Sequence, residues 1–160
     1  SDVNGDGITE LPRAVLMAGY KDTSSSDAVY MLDWYAYGIG KVPAKVATTY
    51  QNISDAWSLL IDQKWHDRIT AIKVSDGGLS YVEFFEYRKN KMSIPLFNIY
   101  CATGSNREYY AERTDLIQLG QTTQAIYFAK LTNEGEQSEL ALTGDEIKAR
   151  FSLVNQAWNN

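Results

Sequence analysis

The sequence predicts an α+β fold, a mostly antiparallel β-sheet of about six to eight strands with a C-terminal amphipathic helix packed on one face. Three observations predict it. Short segments rich in Tyr, Phe, Trp, Val and Ile recur along the chain. Turn signals containing Gly, Ser or Asp separate them, and only the last segment has a clear helical period. A chain of 160 residues can bury one core without disulfide bonds.

Aromatic and β-branched segments define the strands, in chain order. The stretch AVYMLDWYAY predicts a strand, and GIGK at residues 38–41 predicts the turn of a hairpin. The turn signal SDGG at 75–78 separates two further strands, and IPLFNIYCA is apolar enough to predict a core strand. The predicted strands cover residues 28–37, 42–50, 69–74, 79–89, 94–102, 112–119 and 124–131.

The final segment is predicted to be the helix. Thr143 followed three residues later by Glu146 matches a capping box, in which each side chain bonds to the other residue's backbone N–H. Apolar residues then recur at steps of four, three and four, which places them on one face of a helix. These residues are Ile147, Phe151, Val154 and Trp158.

Composition excludes several classes of function. The formal net charge of −5, with Lys and Arg scattered, argues against nucleic acid as a partner. No apolar run reaches the roughly 18 residues that a membrane-spanning helix needs. Cys101 is the only cysteine, so the chain has neither an internal disulfide nor a cysteine metal cluster, and we expect Cys101 to be a buried core residue.

The opening stretch DVNGDGITELP has the spacing of a cation-binding loop. Calcium prefers oxygen ligands, and a loop that curls around it presents oxygens at alternate residues, with Gly where the chain turns. The sequence therefore predicts a structural Ca²⁺ site. An EF-hand would need an acid at position 12 of the loop, where this chain has Arg13, and the alternative is an acidic turn without an ion. The candidate ligands are Asp2, Asn4, Asp6, the carbonyl of Ile8, and Glu10.

This loop resembles the calcium loop of FG-GAP or VCBS-type repeats, which joins β-strands. The matching positions are Asp2, Asn4, Asp6, Gly7, Glu10 and Leu11. The resemblance implies that residues 1–27 are the remnant of such a repeat with a linker, and that 28–160 form a single α+β domain.

Longer landmarks are similar to a family of uncharacterised exported lipoproteins of Gram-positive bacteria. They are NGDGITELP, LDWYAYG, DAWSLLI, KWHDRITA, FFEYRK and PLFNIYCAT. The resemblance implies an extracellular or cell-envelope location, a lipid anchor in the full-length protein, and a portion missing before residue 1. It implies no particular activity.

No catalytic constellation is recognisable in the sequence. His66 is the only His, and a G-x-S-x-G nucleophile elbow is missing. A glycosidase needs two carboxylates a fixed distance apart, and any acidic chain offers many pairs. The candidate acids are Asp33, Asp55, Asp62, Glu83 and Glu86.

Aromatic residues give a weak candidate for ligand binding. Trp34, Tyr35, Trp57 and Trp65, with nearby Tyr37, have the ring surfaces on which a sugar stacks, although the same residues also fill strand faces and cores. The sequence therefore predicts a non-catalytic, calcium-stabilised envelope module whose candidate partner is a protein or a glycan. The alternative is a carboxylate-dependent hydrolase that acts on cell-wall or other polysaccharides.

Overall fold

The computed structural model describes residues 1–21 and 28–154, which form ten strands and four short helices. The strands are β1 Glu10–Leu16, β2 Tyr30–Ala36, β3 Ala44–Asn52, β4 Trp57–Leu60, β5 Ile69–Asp76, β6 Leu79–Arg88, β7 Lys91–Thr103, β8 Ile117–Gln121, β9 Ala125–Leu131 and β10 Phe151–Leu153. The α-helices are α1 Glu108–Ala111, α2 Asn133–Glu136 and α3 Gly144–Arg150, and a 3₁₀-helix spans Gln63–Trp65.

The strands form two antiparallel five-stranded sheets. The first sheet has the order β1-β2-β3-β4-β10, and the second has the order β5-β6-β7-β9-β8. The predicted mostly antiparallel α+β fold is thus confirmed, with the strands divided between two sheets. The difference in strand number comes from β1, β4 and β10, which are short or polar and lack a strand-like pattern in the sequence.

Aromatic side chains from both sheets fill the core between them. Tyr50 of the first sheet meets Phe84 of the second edge to face, with ring centroids 5.5 Å apart. Phe84 stacks on Phe97 at 4.9 Å, and Trp57 stacks on Phe151 at 5.9 Å. Such pairs add roughly 0.5–1.5 kcal/mol each to the free energy gained from burial. Cys101 is buried in this core, as predicted.

The predicted C-terminal helix begins where expected but is shorter. Thr143 and Glu146 form the capping box, and the helix ends at Arg150 instead of continuing to Trp158. Phe151 begins β10 and pairs with Leu59 of β4, because packing against Trp57 outweighs the local helical period. Trp158 lies outside the described residues.

Two other local predictions differ from the structure. Residues 112–119 were expected to be one strand, but β8 starts only at Ile117 and runs through Gly120, so the turn lies at residues 122–124. The tract at 133–139, expected to be a loop, begins with α2, which is capped by the Thr132 hydroxyl. Within the described ranges, no helix is long and apolar enough to cross a membrane.

The region before residue 22 packs with the remainder of the chain. Strand β1 pairs with β2 along its whole length, from Glu10 opposite Ala36 to Leu16 opposite Tyr30. Met17 follows β1 and is fully buried in the core. A division of the chain at residue 27 stays a prediction. What matters for the site is that the opening loop leads directly into an edge strand of the first sheet.

Candidate metal centre

The opening loop is closed by a backbone pair at its two ends. The Glu10 N–H donates to the Ser1 carbonyl at 2.8 Å, and the Ser1 amino group donates to the Glu10 carbonyl at 3.2 Å. The intervening eight residues therefore curl into a compact loop beside the start of β1. This closure follows from the pairing of Glu10 with Ala36 on its other side, which holds Glu10 extended.

Asp2 organises the inside of the loop. Its Oδ1 atom accepts hydrogen bonds from the Gly5 and Asp6 N–H groups at 2.7 and 3.1 Å, and its Oδ2 atom accepts one from Gly7 at 2.9 Å. Gly5 and Gly7 have φ angles of +76° and +83°, a region that residues with a Cβ rarely adopt. The two glycines therefore allow the backbone to turn its N–H groups towards one carboxylate.

Three carboxylates converge within this loop. Asp2, Asp6 and Glu10 each present one oxygen, and these oxygens all lie within 4.8 Å of one another. Calcium holds its oxygen ligands at about 2.3–2.6 Å, so two ligands on opposite sides of one ion are separated by about 5 Å. The spacing therefore fits three ligands of a single ion.

Glu10 differs from the two aspartates because its side chain is fully buried. Its Oε2 atom accepts a hydrogen bond from the Val3 N–H at 2.8 Å, while Oε1 is buried without a hydrogen-bond partner. Among the described residues, no Lys or Arg forms an ion pair with it. A buried carboxylate is costly unless its charge is compensated, and a cation bound among the three carboxylates would supply that compensation.

The other two predicted ligands lie in the same loop. The Asn4 side-chain amide donates to Asp6 Oδ2 at 2.9 Å, and its carbonyl oxygen accepts from the Asp6 N–H at 3.1 Å. The Ile8 N–H donates to Asp6 Oδ1 at 2.8 Å. Of the five predicted ligands, the structure thus brings the carboxylates of Asp2, Asp6 and Glu10 close together. Coordination by the Asn4 side chain and the Ile8 carbonyl stays a prediction.

The predicted aromatic platform is not on the surface. Trp57 and Trp65 are fully buried and Trp34 is 5% exposed, so their ring faces are not available to a sugar. Trp65 lies against Phe97, and its indole N–H donates to the Leu140 carbonyl at 2.8 Å. Tyr35 is half-buried on β2. The three tryptophans therefore do not form a stacking surface and instead fill the core, which was the alternative for these residues, while ligand binding by Tyr35 stays a prediction.

Most of the candidate catalytic acids are bound to neighbouring side chains. Asp33 accepts from the Thr48 hydroxyl at 2.6 Å, and Asp55 accepts from Asn52 and Ser80 at 3.0 and 2.8 Å. Asp62 and Glu86 bond to arginines, at 2.6 Å from Arg150 and 2.5 Å from Arg88 respectively.

Two surface cavities of similar size contain one carboxylate each. A cavity of about 560 Å³ beside β3 has Asp62 in its lining with Lys45, His66 and Arg150. A second cavity of about 530 Å³ has Asp55 in its lining, beside Cys101. Burial raises the pKa of the Cys101 thiol to about 11, so it is protonated and unreactive near neutral pH. The paired acids of a glycosidase are not brought together in either cavity.

The chain matches no protein-family model, and no curated protein and no solved structure is significantly similar to it. The resemblances to calcium-loop repeats and to exported lipoproteins therefore stay predictions.

Proposed function

We propose that the chain is a non-catalytic module stabilised by one calcium ion, bound by the carboxylates of Asp2, Asp6 and Glu10. The observation that carries this proposal is the buried Glu10 carboxylate. Its Oε1 atom has no hydrogen-bond partner, and two exposed acids, Asp2 and Asp6, lie next to it. The cluster alone is an acidic turn, but a buried carboxylate oxygen without a partner is costly, and a cation bound beside it would offset that cost.

Calcium suits this loop better than magnesium or zinc. The candidate ligands are all oxygen atoms, whereas zinc sites are built mainly from Cys sulfur and His nitrogen. Magnesium demands near-ideal octahedral geometry and usually keeps several waters, whereas calcium accepts irregular arrangements of six to eight oxygens. This loop supplies side chains from three positions on a curled backbone, which suits the irregular coordination of calcium.

The proposed role of the ion is structural. Glu10 begins β1, and Asp2 and Asp6 lie in the loop before it, so one ion bound by all three joins the loop to the edge of the first sheet. A module of this kind belongs to an exported or envelope protein, where calcium is available and a protein or a glycan is the candidate partner.

Calorimetric titration with Ca²⁺ tests the proposal, with Mg²⁺ titrated in parallel. We expect one binding event for calcium and a weaker or undetectable one for magnesium. Asp76→Asn is the matched control, because Asp76 is an exposed acid on the second sheet and its loss should leave calcium binding unchanged. Absence of calcium binding by the unaltered chain, or equal weakening by Asp76→Asn and Asp6→Asn, would contradict the proposal.

A further inference from the structure

Strand β1 is attached to the first sheet mainly at its two ends. Residues 11–14 in its middle are exposed, whereas Glu10 at its start and Met17, just after its end, are both fully buried. The burial of Met17 in the apolar core stabilises the end of β1. At the start of β1, by contrast, the only fully buried side chain is a carboxylate. The two ends of this strand therefore differ in what holds them on the sheet.

Few backbone hydrogen bonds hold the first half of β1 on β2. The Glu10 N–H and carbonyl both bond to Ser1, so they point away from β2. In an antiparallel pair the residues that bond to the partner strand alternate, so Leu11 and Arg13 are the residues of this half that bond to β2. Water replaces these partners when the strands separate, so each bond contributes only modestly to attachment.

The Glu10 carboxylate opposes attachment while its charge is uncompensated. Its Oε2 atom accepts one hydrogen bond, from the Val3 N–H, and its Oε1 atom is buried without a partner. Separation of β1 from the sheet lets water reach both oxygens, which relieves the desolvation of the charge. Because residues 11–14 are exposed on the sheet as well, their separation forfeits little apolar burial. Without compensation, the first half of β1 is therefore poised to open locally.

A cation bound by the loop favours the attached strand. On the sheet, pairing opposite Ala36 holds Glu10 extended, and its carboxylate lies beside those of Asp2 and Asp6. A detached segment has to give up backbone freedom to bring the three acids together again. The ion therefore binds the attached form more tightly, and a ligand that prefers one of two forms shifts the equilibrium towards it.

We infer that β1 is a calcium-dependent edge strand; this inference rests on the proposed calcium site and concerns its regulatory effect. Residues 1–14 lie on the sheet while the ion is bound, separate from it when the ion is removed, and remain tethered through the buried Met17. Strand β2 keeps its pairing with β3, so the sheet persists with β2 as its new edge. Calcium thereby decides whether the backbone of β2 is covered or open to another strand.

Amide hydrogen exchange of the intact chain, followed by NMR in calcium and in chelator, tests this inference. The reporters are the Leu11 and Arg13 N–H groups, and the reference is Ile99 in the central strand of the second sheet. At one hundred times the dissociation constant of calcium, Leu11 and Arg13 should exchange about a hundredfold more slowly than in chelator. In chelator they should exchange nearly as fast as in an unstructured peptide, while Ile99 stays protected.

Two variants separate the charge of Glu10 from other effects. Glu10→Gln has nearly the same size and no charge, so Leu11 and Arg13 should stay protected equally in calcium and in chelator. Asp76→Asn removes an exposed acid of the second sheet and is the matched control, which should respond to calcium as the unaltered chain does.

Each outcome decides between accounts. Calcium binding in a titration, with equal exchange at Leu11 and Arg13 in calcium and in chelator, overturns this inference and leaves the proposed function intact. Failure of calcium to bind the protein at all overturns both. Loss of protection at Ile99 together with Leu11 in chelator shows global unfolding instead of local detachment, and also overturns the inference. Rapid exchange in Glu10→Gln in chelator overturns it as well, because the strand then separates without a buried charge.

Discussion

Two glutamates, Glu10 and Glu86, are buried in the part of the chain that the structure describes, and their surroundings differ. Glu86 on β6 is 2% exposed, and its Oε1 atom accepts two hydrogen bonds from the Arg88 guanidinium at 2.5 and 3.1 Å. Its Oε2 atom accepts from the Ser138 hydroxyl at 3.2 Å. Glu10 on β1 is fully buried with one hydrogen bond, and one of its oxygens has no partner.

The two glutamates differ in how the negative charge of the buried carboxylate is compensated. Glu86 is compensated by side chains of this protein, so its charge is balanced without any ligand. Glu10 is accompanied by two further acids instead of a base, and under the proposed function a bound cation balances its charge. The comparison therefore sets a structural ion pair against a proposed metal ligand, although both residues are almost completely hidden from solvent.

The largest effect is expected when the compensating base of Glu86 is removed. Arg88→Met leaves the Glu86 carboxylate buried and unpaired, which should lower the free energy of unfolding by about 3 kcal/mol. This value is at the low end for a buried pair because the Arg88 side chain is half-exposed and water can approach the carboxylate. Urea denaturation in calcium and in chelator measures it. The loss should be the same in both, and restoration by calcium would contradict the separation of the two glutamates.

A smaller effect is expected when Glu86 is made to resemble Glu10. Ser138→Ala removes the donor to Oε2, so that one oxygen is left without a partner, and should lower the free energy of unfolding by about 1–2 kcal/mol. The Ser138 hydroxyl also accepts from the Leu140 N–H at 3.1 Å, which contributes to this loss. Thermal melting is the measurement, and a change below the error of the method would mean that an unpartnered oxygen costs little here.

The smallest effect concerns the affinity of the proposed ion. Asp6→Asn keeps an oxygen at the site and removes one charge, so calcium affinity should fall roughly tenfold, which corresponds to about 1.4 kcal/mol. Isothermal titration calorimetry measures it, with Asp76→Asn as control. Equal affinities of the two variants would show that Asp6 is not a ligand.

The pattern of the loop could be predicted from the sequence because it is local. Asp2, Asp6, Glu10 and the two glycines are close in the chain, and the alternate spacing of oxygens is a property of that short stretch. The burial of Glu10 could not be predicted in the same way. It depends on the pairing of β1 with β2, and β1 itself was missed because ELPRAVL combines a Pro and an Arg with little alternation.

The incorrect predictions about the fold also arise from contacts between residues that are distant in the sequence. Phe151 fits a helical period, yet it joins a strand because Trp57 is available to stack against it. Trp57 and Trp65 look like surface candidates only when their partners are unknown, since Phe97, Phe151 and the Leu140 carbonyl come from distant parts of the chain. Long β6 and β7 were predicted well because their aromatic content and the turns around them are visible locally.

The central claim is that Glu10 is a cation ligand, and a set of four melting curves tests it most directly. The unaltered chain and Glu10→Gln are each melted in calcium and in chelator. A ligand that binds only the folded state stabilises it by about 2.7 kcal/mol at one hundred times its dissociation constant, and each kcal/mol corresponds to roughly 2–4 °C in a domain of this size.

For the unaltered chain we expect calcium to raise the melting temperature by several degrees. For Glu10→Gln we expect almost no shift, and in chelator this variant should melt at the same temperature as the unaltered chain or higher, because it no longer buries an uncompensated charge. An equal calcium shift in both proteins, or a clear loss of stability of Glu10→Gln in chelator, would contradict the account.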